Sequence, residues 1–240
     1  MLSRLSAVVL AALLLGCSDD GVKLNEITLA DGSVYIGEMD DGVISGQGSL
    51  TYLNGSVYEG SFVDGVFEGK GKITYSNGDV YRGDFVKGSG TGKAEYSTEN
   101  GVTYFGDFYH GDAHGILKIN SKKDNYTYYG EVDKWYFSGY GEYVQGDKQY
   151  RGQFFRGVYG GLGYYVDGDL ANYAGQFVDG LFNGLGVYQT ENATYAGNFV
   201  DGKFSGQGVV KIAGGTIFSC LLYTSPSPRD LSTSRMPSSA

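Results

Sequence analysis

The two histidines of this chain stand close together, in the run His110-Gly111-Asp112-Ala113-His114, with Asp107 just before it. Imidazoles and carboxylates are zinc ligands, so these residues are one candidate metal site. Two histidines four residues apart converge on one face of a helix, however, and the surrounding sequence has no helical period. No third ligand is specified. We therefore interpret the run as variable turn positions and expect no metal site.

Three other segments resemble ligand-binding loops. The glycine-rich run Gly88–Lys93 invites comparison with a phosphate-binding loop, but Lys87 replaces the required first glycine, Ala94 replaces the final Ser or Thr, and no helix is predicted to follow. Asp40–Gly42 and Asp167–Asp169 lack the remaining ligands of a calcium loop and are typical of turns. No nucleophile with a matching base is apparent. We expect no catalytic residue, no cofactor and no enzyme activity.

Cys17 is the one residue for which the sequence indicates covalent chemistry. It follows an apolar run, Leu5–Leu15, which is too short to cross a bilayer as a stable helix. The tetrapeptide Leu-Leu-Gly-Cys that ends at Cys17 resembles the lipobox of bacterial lipoproteins. This resemblance implies a signal peptide at 1–16, an acylated Cys17 and a polar tether over 17–26. The alternative is an ordinary secretory signal with a chance cysteine.

The last residues differ in composition from the rest of the chain. All three prolines lie after Cys220, in a segment rich in Ser and Arg. The string CLLYTSPSPRD resembles one translated reading frame of a sequencing-library adapter. We expect 219–240 to be a non-native, unstructured segment; a natural disordered tail is the alternative.

The charge of the chain limits its partners. The formal net charge is −9, and leaving out 1–16 and 220–240 removes three arginines and one aspartate, which gives −11. Such a surface repels nucleic acid and anionic lipid headgroups at long range. We therefore expect no nucleic-acid partner.

Between these ends the sequence repeats with a period of 22 to 24 residues. Each unit has a tyrosine, a glycine two residues later and an apolar residue, usually Phe, four residues later. Offsets of zero, two and four lie on one face of an extended strand. The eight tyrosines are Tyr35, Tyr58, Tyr81, Tyr104, Tyr128, Tyr150, Tyr173 and Tyr195.

A turn and a second strand complete each unit. Asp-Gly pairs such as Asp64-Gly65 favour tight hairpin turns. Two glycines two residues apart follow, such as Gly69 and Gly71, and another apolar residue stands fifteen residues after each tyrosine. Glycines aligned with aromatic residues predict that rings from the adjacent hairpin approach the backbone closely.

The pattern YxGxF, a turn and GxxxGxG resembles the MORN (membrane occupation and recognition nexus) repeat, and the unit Tyr58–Tyr81 matches nearly every family position. The resemblance implies one β-hairpin per unit. We therefore predict an all-β protein with an elongated, single-layer antiparallel sheet over 27–218. This array has eight units and a ninth that begins at Phe218 and continues in a longer natural protein. Strand spacing alone also permits a closed barrel or a two-layer sandwich.

The middle of the array is the least regular part. Ala94 and Leu117 replace the second paired glycine in the third and fourth units, and the fifth unit has Val132 and Trp135 where the aromatic residue and the turn glycine belong. Most such irregularity is loop drift, although binding residues also concentrate in loops.

Tyrosines at the fifteenth offset are the candidate binding surface: Tyr96, Tyr143, Tyr165 and Tyr188. A stripe of rings at one offset predicts either a groove or packing between hairpins. Both roles can apply in different units.

Three functions fit these features. The leading hypothesis is a non-catalytic scaffold that binds a protein partner through its acidic, aromatic repeat surface. The alternatives are glycan or peptidoglycan binding in a tyrosine-lined groove, and phospholipid binding as the family resemblance suggests. Ser18 after Cys17 resembles the signal for the outer membrane, so we expect a lipid-anchored protein of the bacterial envelope that faces the periplasm; in a bacterium with one membrane it would face outward.

Overall fold

The computed structural model of the chain describes residues 24–222, and Cys17 and the predicted signal peptide lie outside this part. It consists of strands and turns, and it contains no helix long and apolar enough to span a bilayer. The strands are β1 Asn25–Thr28, β2 Val34–Asp40, β3 Val43–Thr51, β4 Val57–Val63, β5 Val66–Thr74, β6 Val80–Val86, β7 Ser89–Ser97, β8 Val102–Tyr109, β9 Asp112–Ser121, β10 Tyr126–Asp133, β11 Tyr136–Gln145, β12 Lys148–Phe155, β13 Val158–Asp167, β14 Ala171–Val178, β15 Leu181–Gln189, β16 Ala193–Val200, β17 Lys203–Ile212 and β18 Ile217–Leu222.

The strands form one antiparallel sheet in chain order. Each strand pairs with the strand before it and the strand after it, from β1–β2 through β9–β10 to β17–β18. Within residues 24–222, β1 and β18 each have a paired neighbour on one side only, so the sheet is open. The prediction of a single-layer sheet of tandem hairpins is confirmed, and the barrel and the sandwich are excluded.

The observed boundaries differ from the predicted ones at both ends. Strand β1 begins at Asn25, two residues inside the predicted tether. Strand β18 continues to Leu222 and pairs with β17 from Lys211↔Ile217 to Gly206↔Leu222. The expectation that the chain is unstructured from residue 219 is therefore wrong for 219–222. Ladder hydrogen bonds use the backbone, so a strand can continue where the repeat pattern has ended.

The first turn of each unit has the geometry that its Asp-Gly pairs predict. In the second unit Asp64 has φ 49° and Gly65 has φ 78°. Positive φ at both central residues defines the type I′ turn, whose twist matches that of the paired strands. In the fifth unit Lys134 (φ 47°) and Trp135 (φ 72°) adopt the same turn without glycine.

The two glycines of the GxG pair have different structural roles. Gly69 has φ 72° and lies in a β-bulge, where the register passes from Phe62↔Phe67 to Gly60↔Gly71. A side chain rarely adopts this backbone conformation, so the first glycine permits the bulge. The second, Gly71, lies directly opposite Gly60, and its role is steric.

The framework tyrosine lies over this glycine pair. A Cβ atom on Gly71 would come within 2.5 Å of the Tyr58 Oη atom. The same hydroxyl donates a hydrogen bond to the carbonyl oxygen of Ser61 at 2.9 Å, which holds the ring across the two strands. The approaching ring therefore comes from the same hairpin, and the prediction of a ring from the adjacent hairpin is wrong.

Rings from neighbouring units cover the tyrosine. Tyr58 is fully buried, stacks on Phe67 at 3.7 Å between centroids, and meets the edge of Phe85 of the next unit at 5.2 Å. Phe62 in turn packs edge-on against Tyr35 of the preceding unit at 5.2 Å. We call this side of the sheet the aromatic face. It provides a buried core without a second layer, because rings contribute large apolar areas and favour such edge contacts.

Backbone hydrogen bonds also join successive turns along one edge of the sheet. From the second unit onward, the second turn residue, usually glycine, donates to a carbonyl of the unit before it, as in Gly65 N to Ile44 O at 2.8 Å and Gly180 N to Tyr159 O at 2.9 Å. In the fifth unit Trp135 N makes this bond to Ala113 O at 3.4 Å. These bonds fix the geometry between neighbouring hairpins along the array.

Replacing Gly71 by alanine tests the contact between tyrosine and glycine. The added methyl group must displace the Tyr58 ring, so we expect the free energy of unfolding to fall by about 1 to 3 kcal/mol, the range for overpacking a core. Urea denaturation monitored by circular dichroism measures the change. The matched control is Lys70→Ala, because the Lys70 side chain is 90 % exposed and its loss should cost less than about 0.5 kcal/mol. Equal effects of the two substitutions would contradict this account.

Candidate functional site

The four tyrosines predicted as a binding surface belong to one continuous row on the aromatic face. In each strand pair the framework tyrosine lies directly opposite the residue at the fifteenth offset, as in Tyr81↔Tyr96 and Tyr150↔Tyr165. The next pair continues the row, as in Tyr96↔Tyr104 and Tyr165↔Tyr173. Directly opposed residues of antiparallel strands share a face. The row therefore places the four predicted residues on one side of the sheet.

Three concavities lie along this row, and together we call them the aromatic groove. The first, of about 390 Å³, is lined by Tyr165 and Tyr188 together with Tyr159, Phe182 and Asp167. Its walls are mostly apolar, with five aromatic rings and a few charged groups, which is the usual composition of a ligand-binding site.

The other two concavities contain the remaining predicted tyrosines. Tyr143 lines one of about 490 Å³, together with Tyr126 and Tyr159. Tyr96 lines one of about 330 Å³, together with Asp79 and Trp135. Each of the four predicted tyrosines thus borders a concavity.

The four tyrosines differ in how much surface they expose. Tyr188 exposes 7 % and packs against Phe182 and Phe204, so it belongs mainly to the core. Tyr143 is half-buried and stacks on Tyr126 at 5.3 Å. Tyr96 and Tyr165 are also half-buried. All four tyrosines therefore contribute to packing, and Tyr96, Tyr143 and Tyr165 also contribute to the accessible surface.

The hydroxyl groups of Tyr143 and Tyr159 in the groove are neutral over the physiological range. Burial raises the pKa of Tyr143 and Tyr159, and acidic or tyrosine neighbours raise it further. Burial also raises the pKa of the framework residues Tyr58 and Tyr173 to about 12. A neutral hydroxyl both donates and accepts hydrogen bonds, so the groove offers rings with uncharged polar edges.

The residues considered for metal binding or catalysis are separated into different environments. His110 occupies a turn with φ 51° and lies against the Tyr109 ring, whereas His114 Nδ1 is 3.2 Å from Asp133 Oδ1. Over residues 24–222 no group of three or more His, Cys, Asp or Glu side chains is placed to hold a metal ion. The glycines of 88–93 belong to a turn and to β7, and the second paired glycine of this unit is replaced by Ala94.

Several groove residues were not predicted from the sequence. Tyr159 stacks on Tyr150 at 3.9 Å and Phe182 stacks on Tyr173 at 3.9 Å, each nine residues after its tyrosine. The repeated aromatic residue at this offset was the available signal. Trp135 packs against Tyr96 at 5.2 Å, and its Nε1–H donates to Asp112 Oδ1 at 2.9 Å. No repeat rule indicates this contact, because Trp135 replaces a turn glycine.

The opposite face of the sheet is different in character. Its N-terminal half carries exposed charge pairs such as Lys72–Glu59 at 2.7 Å and Lys93–Asp107 at 2.6 Å. Tyr164, on the strand that carries Tyr165 on the other face, is 43 % exposed there. Over residues 24–222 this face has no continuous row of buried rings.

These features define a class of protein: an open, single-sheet β-hairpin repeat array with an aromatic groove along one face. The family model described as "MORN repeat" matches residues 35–57, 58–80, 150–170, 173–192 and 195–217, so the chain contains five MORN repeats. The units between 81 and 149, where Ala94, Leu117 and Trp135 interrupt the pattern, lie outside the matched segments. The MORN repeat is a non-catalytic repeat type.

The similarity of the chain to whole proteins is weaker than its similarity to the repeat family. No curated protein matches the chain. Among solved structures, the chain is similar to the TCP domain of SAS-4 (dCPAP) of Drosophila melanogaster, in complex with a proline-rich motif of Ana2 (dSTIL). The match has 14 % sequence identity and a TM-score of 0.30, and it covers 92 % of this chain and 99 % of that domain.

The buried tyrosines predict a loss of stability at alkaline pH. The folded-state pKa of Tyr58, Tyr81, Tyr150 and Tyr173 is raised to about 12, whereas an unfolded tyrosine titrates near 10. The stabilisation from these groups is fully present below about pH 10 and is lost as the pH rises towards 12. Tyrosinate absorbance and circular dichroism, recorded together, should show ionisation of these residues coupled to unfolding. Ionisation of all tyrosines near pH 10 in a folded chain would contradict the prediction.

Proposed function

We propose that this protein is a non-catalytic scaffold that binds an extended segment of a partner protein along the aromatic groove. The observation that carries the proposal is the alignment of three ring-lined concavities along one cross-strand row. An extended peptide matches such a row in shape. Its successive side chains can enter separate concavities, and aromatic walls supply much of the binding energy at protein interfaces.

The shape of the groove favours a peptide over a compact ligand. The hydroxyl group of a half-buried tyrosine such as Tyr143 can hydrogen-bond a peptide backbone. Repeat arrays typically use such long surfaces for protein recognition, because each unit adds one further contact region. Each unit then contributes a small part of the affinity, and the irregular units contribute most of the selectivity.

Glycan binding is the second candidate, and the concavity at Tyr165 favours it. Tyr159 and Phe182 provide ring faces there, and Asp167 provides a carboxylate that can accept hydrogen bonds from sugar hydroxyls. A peptide and a glycan would compete for the same walls. Fluorescence titration with peptidoglycan fragments distinguishes the two.

We further propose that Cys17 anchors the array to the bacterial envelope. The lipobox-like sequence before it supports acylation. Two or more acyl chains give stable membrane attachment, and a polar tether would leave the sheet outside the bilayer. An anchored array would concentrate its partner at the membrane surface.

Peptide selection tests the groove. A random peptide display library is panned on the full chain and on a variant with both Tyr143→Leu and Tyr165→Leu. Leucine removes the ring and keeps an apolar side chain, and Leu50 occupies the same offset in the first unit, so the variant should fold. We expect the native chain to enrich peptides with a common motif and the double variant to bind them at least about tenfold more weakly, which corresponds to about 1.4 kcal/mol.

The matched control for this selection is Tyr164→Leu, which removes an exposed ring from the opposite face. It should bind the selected peptides as the native chain does. Equal binding by the double variant, or no enrichment by the native chain, would argue against a peptide-binding groove. Saturable binding of peptidoglycan fragments in that case would favour the glycan candidate.

Expression in a diderm bacterium tests the anchor. The native chain should enter the membrane fraction with an acylated N-terminal cysteine detectable by mass spectrometry, and Cys17→Ser should remain in the soluble envelope fraction because it lacks the thiol that is acylated. A matched Ser18→Ala variant keeps the thiol and should stay with the membrane. A native chain that is recovered unacylated in the soluble fraction would refute the proposal.

A further inference from the structure

The third unit has a buried carboxylate without a positive partner. Asp79 exposes 9 % of its surface and accepts hydrogen bonds from Tyr96 Oη at 2.5 Å, Asn77 Nδ2 at 2.9 Å and the Glu99 backbone N–H at 2.9 Å. These donors, above all Tyr96, lower the pKa of Asp79, so the group is ionised. None of the ion pairs formed within residues 24–222 involves it. Buried charges are usually paired, and this one is not.

The repeat itself does not require this acid. Asp79 stands two residues before Tyr81, and the same position holds Ser33 and Ser56 in the first two units. Ser56 Oγ accepts a hydrogen bond from the Ser76 backbone N–H at 3.0 Å, as Asp79 does from Glu99. Serine therefore makes the structural bond between units, and aspartate adds a charge that the fold does not need.

Tyr81 shows a second departure in the same unit. Ala94 replaces the glycine over which the ring lies in regular units, and Tyr81 lies against Gly90 instead: a Cβ there would come within 2.5 Å of its Oη. Five of the eight units have an aromatic ring at the ninth offset that packs on the tyrosine, whereas Gly90 occupies this offset in the third unit. Within the described part of the chain, the Tyr81 hydroxyl is the one buried side-chain polar atom without a hydrogen-bond partner.

Asp79 and Tyr81, the two residues whose environments differ from those of a regular unit, border one cavity. It has a volume of about 330 Å³, and its lining includes Asp79, Tyr81, Tyr75, Tyr96 and Trp135. Tyr96 and Trp135 meet at 5.2 Å with their planes 64° apart, and Tyr75 and Tyr96 at 6.4 Å with 69°. Several aromatic rings around a carboxylate form an environment that attracts organic cations, through ring quadrupoles and charge together.

The other charged groups near the cavity do not cancel its attraction for cations. His110 is the one basic side chain in the lining of the cavity. Lys123 borders an adjoining concavity on the far side of Asp79, where Glu99 and Asp124 also lie. The chain has a net charge of −9, which raises the local concentration of cations at its surface.

We propose that this cavity binds the guanidinium group of an arginine side chain of the partner segment. Guanidinium is planar, so it can stack on one of the rings that line the cavity. It is weakly hydrated compared with an ammonium group, so it enters a ring-lined cavity more readily. One of its N–H groups donates to the lone pair that remains free on Asp79 Oδ1. The site rests on the proposed peptide-binding function and assigns one residue of the bound peptide.

The single tryptophan of the chain, Trp135, reports directly on the site. The full chain is titrated with N-acetylarginine amide while tryptophan fluorescence is recorded. N-acetylcitrulline amide, which has nearly the same shape without the charge, is the matched ligand. We expect a saturable change with arginine amide and at least about tenfold weaker binding of citrulline amide, since charge-assisted hydrogen bonds are lost.

Asp79→Ser is the matched protein variant, because it keeps the hydrogen bond that Ser56 makes in its own unit. It should bind arginine amide at least about tenfold more weakly with an unchanged circular dichroism spectrum. Asp41→Asn removes one charge from an exposed turn in the first unit and should bind as the native chain does. Equal affinities of the native chain and a folded Asp79→Ser would overturn the site.

The ligand comparison on the native chain decides the proposal even if Asp79→Ser fails to fold. Equal binding of the arginine and citrulline amides, or no saturable change with either, would show that the cavity is not a guanidinium site. Tighter binding of tetramethylammonium than of arginine amide would assign it to a quaternary ammonium group and refute the guanidinium assignment. A negative result in these titrations would refute the guanidinium site without contradicting the peptide selection at Tyr143 and Tyr165. The two proposals can therefore be tested independently.

Discussion

Each regular hairpin depends on one contact, in which a tyrosine ring lies flat across the two strands over a pair of opposed glycines. The hydroxyl of Tyr58 bonds to a carbonyl three residues along, and the ring covers Gly60 and Gly71, where no other residue leaves enough space. Without a second layer, the sheet has no other way to bury a core. The glycines therefore weaken the strands locally and stabilise the array as a whole, because they let the rings pack against the backbone.

The groove is a consequence of the same contact. Once the framework tyrosines lie on the sheet, the residues at the ninth and fifteenth offsets cover them and form the accessible surface between the turns. Backbone bonds such as Gly180 N to Tyr159 O fix neighbouring hairpins, so the concavities keep their spacing. Where a unit departs from the pattern, the packing opens. Gly90 and Ala94 leave Tyr81 without a stacking ring, and Trp135 folds over the neighbouring unit. The regular units therefore form the framework, and the irregular units in the middle of the array give the surface its distinct local chemistry.

Features that depend on local interactions were predicted more accurately than features that depend on contacts between residues distant in sequence. The YxGxF period and the Asp-Gly turns predicted the strands, the hairpins and the face of each tyrosine, because strand alternation and turn geometry are local properties. The sequence did not distinguish the roles of the two glycines of each pair: Gly69 permits a bulge and Gly71 accepts a ring. Bulges depend on the register of the partner strand, which no local pattern specifies. The four groove tyrosines share one repeat offset and therefore one row of the sheet, whereas the burial of Tyr188 at 7 % exposure depends on Phe182 and Phe204 from neighbouring strands.

The repeat pattern in the amino-acid sequence is sufficient to predict the architecture. Eight units in register require eight similar hairpins, and hairpins that are neighbours in sequence become neighbours in the sheet. The acidic charge and the lipobox-like Cys17 were readable in the same way, because they depend on composition and on a short linear motif. The sites of individual character were decided by tertiary structure. Asp79 and Tyr96 come from the third unit and Trp135 from the fifth, and they share a cavity because the stacking of hairpins brings those units together. A repeat pattern describes what its units have in common, whereas such a cavity arises from the residues in which they differ.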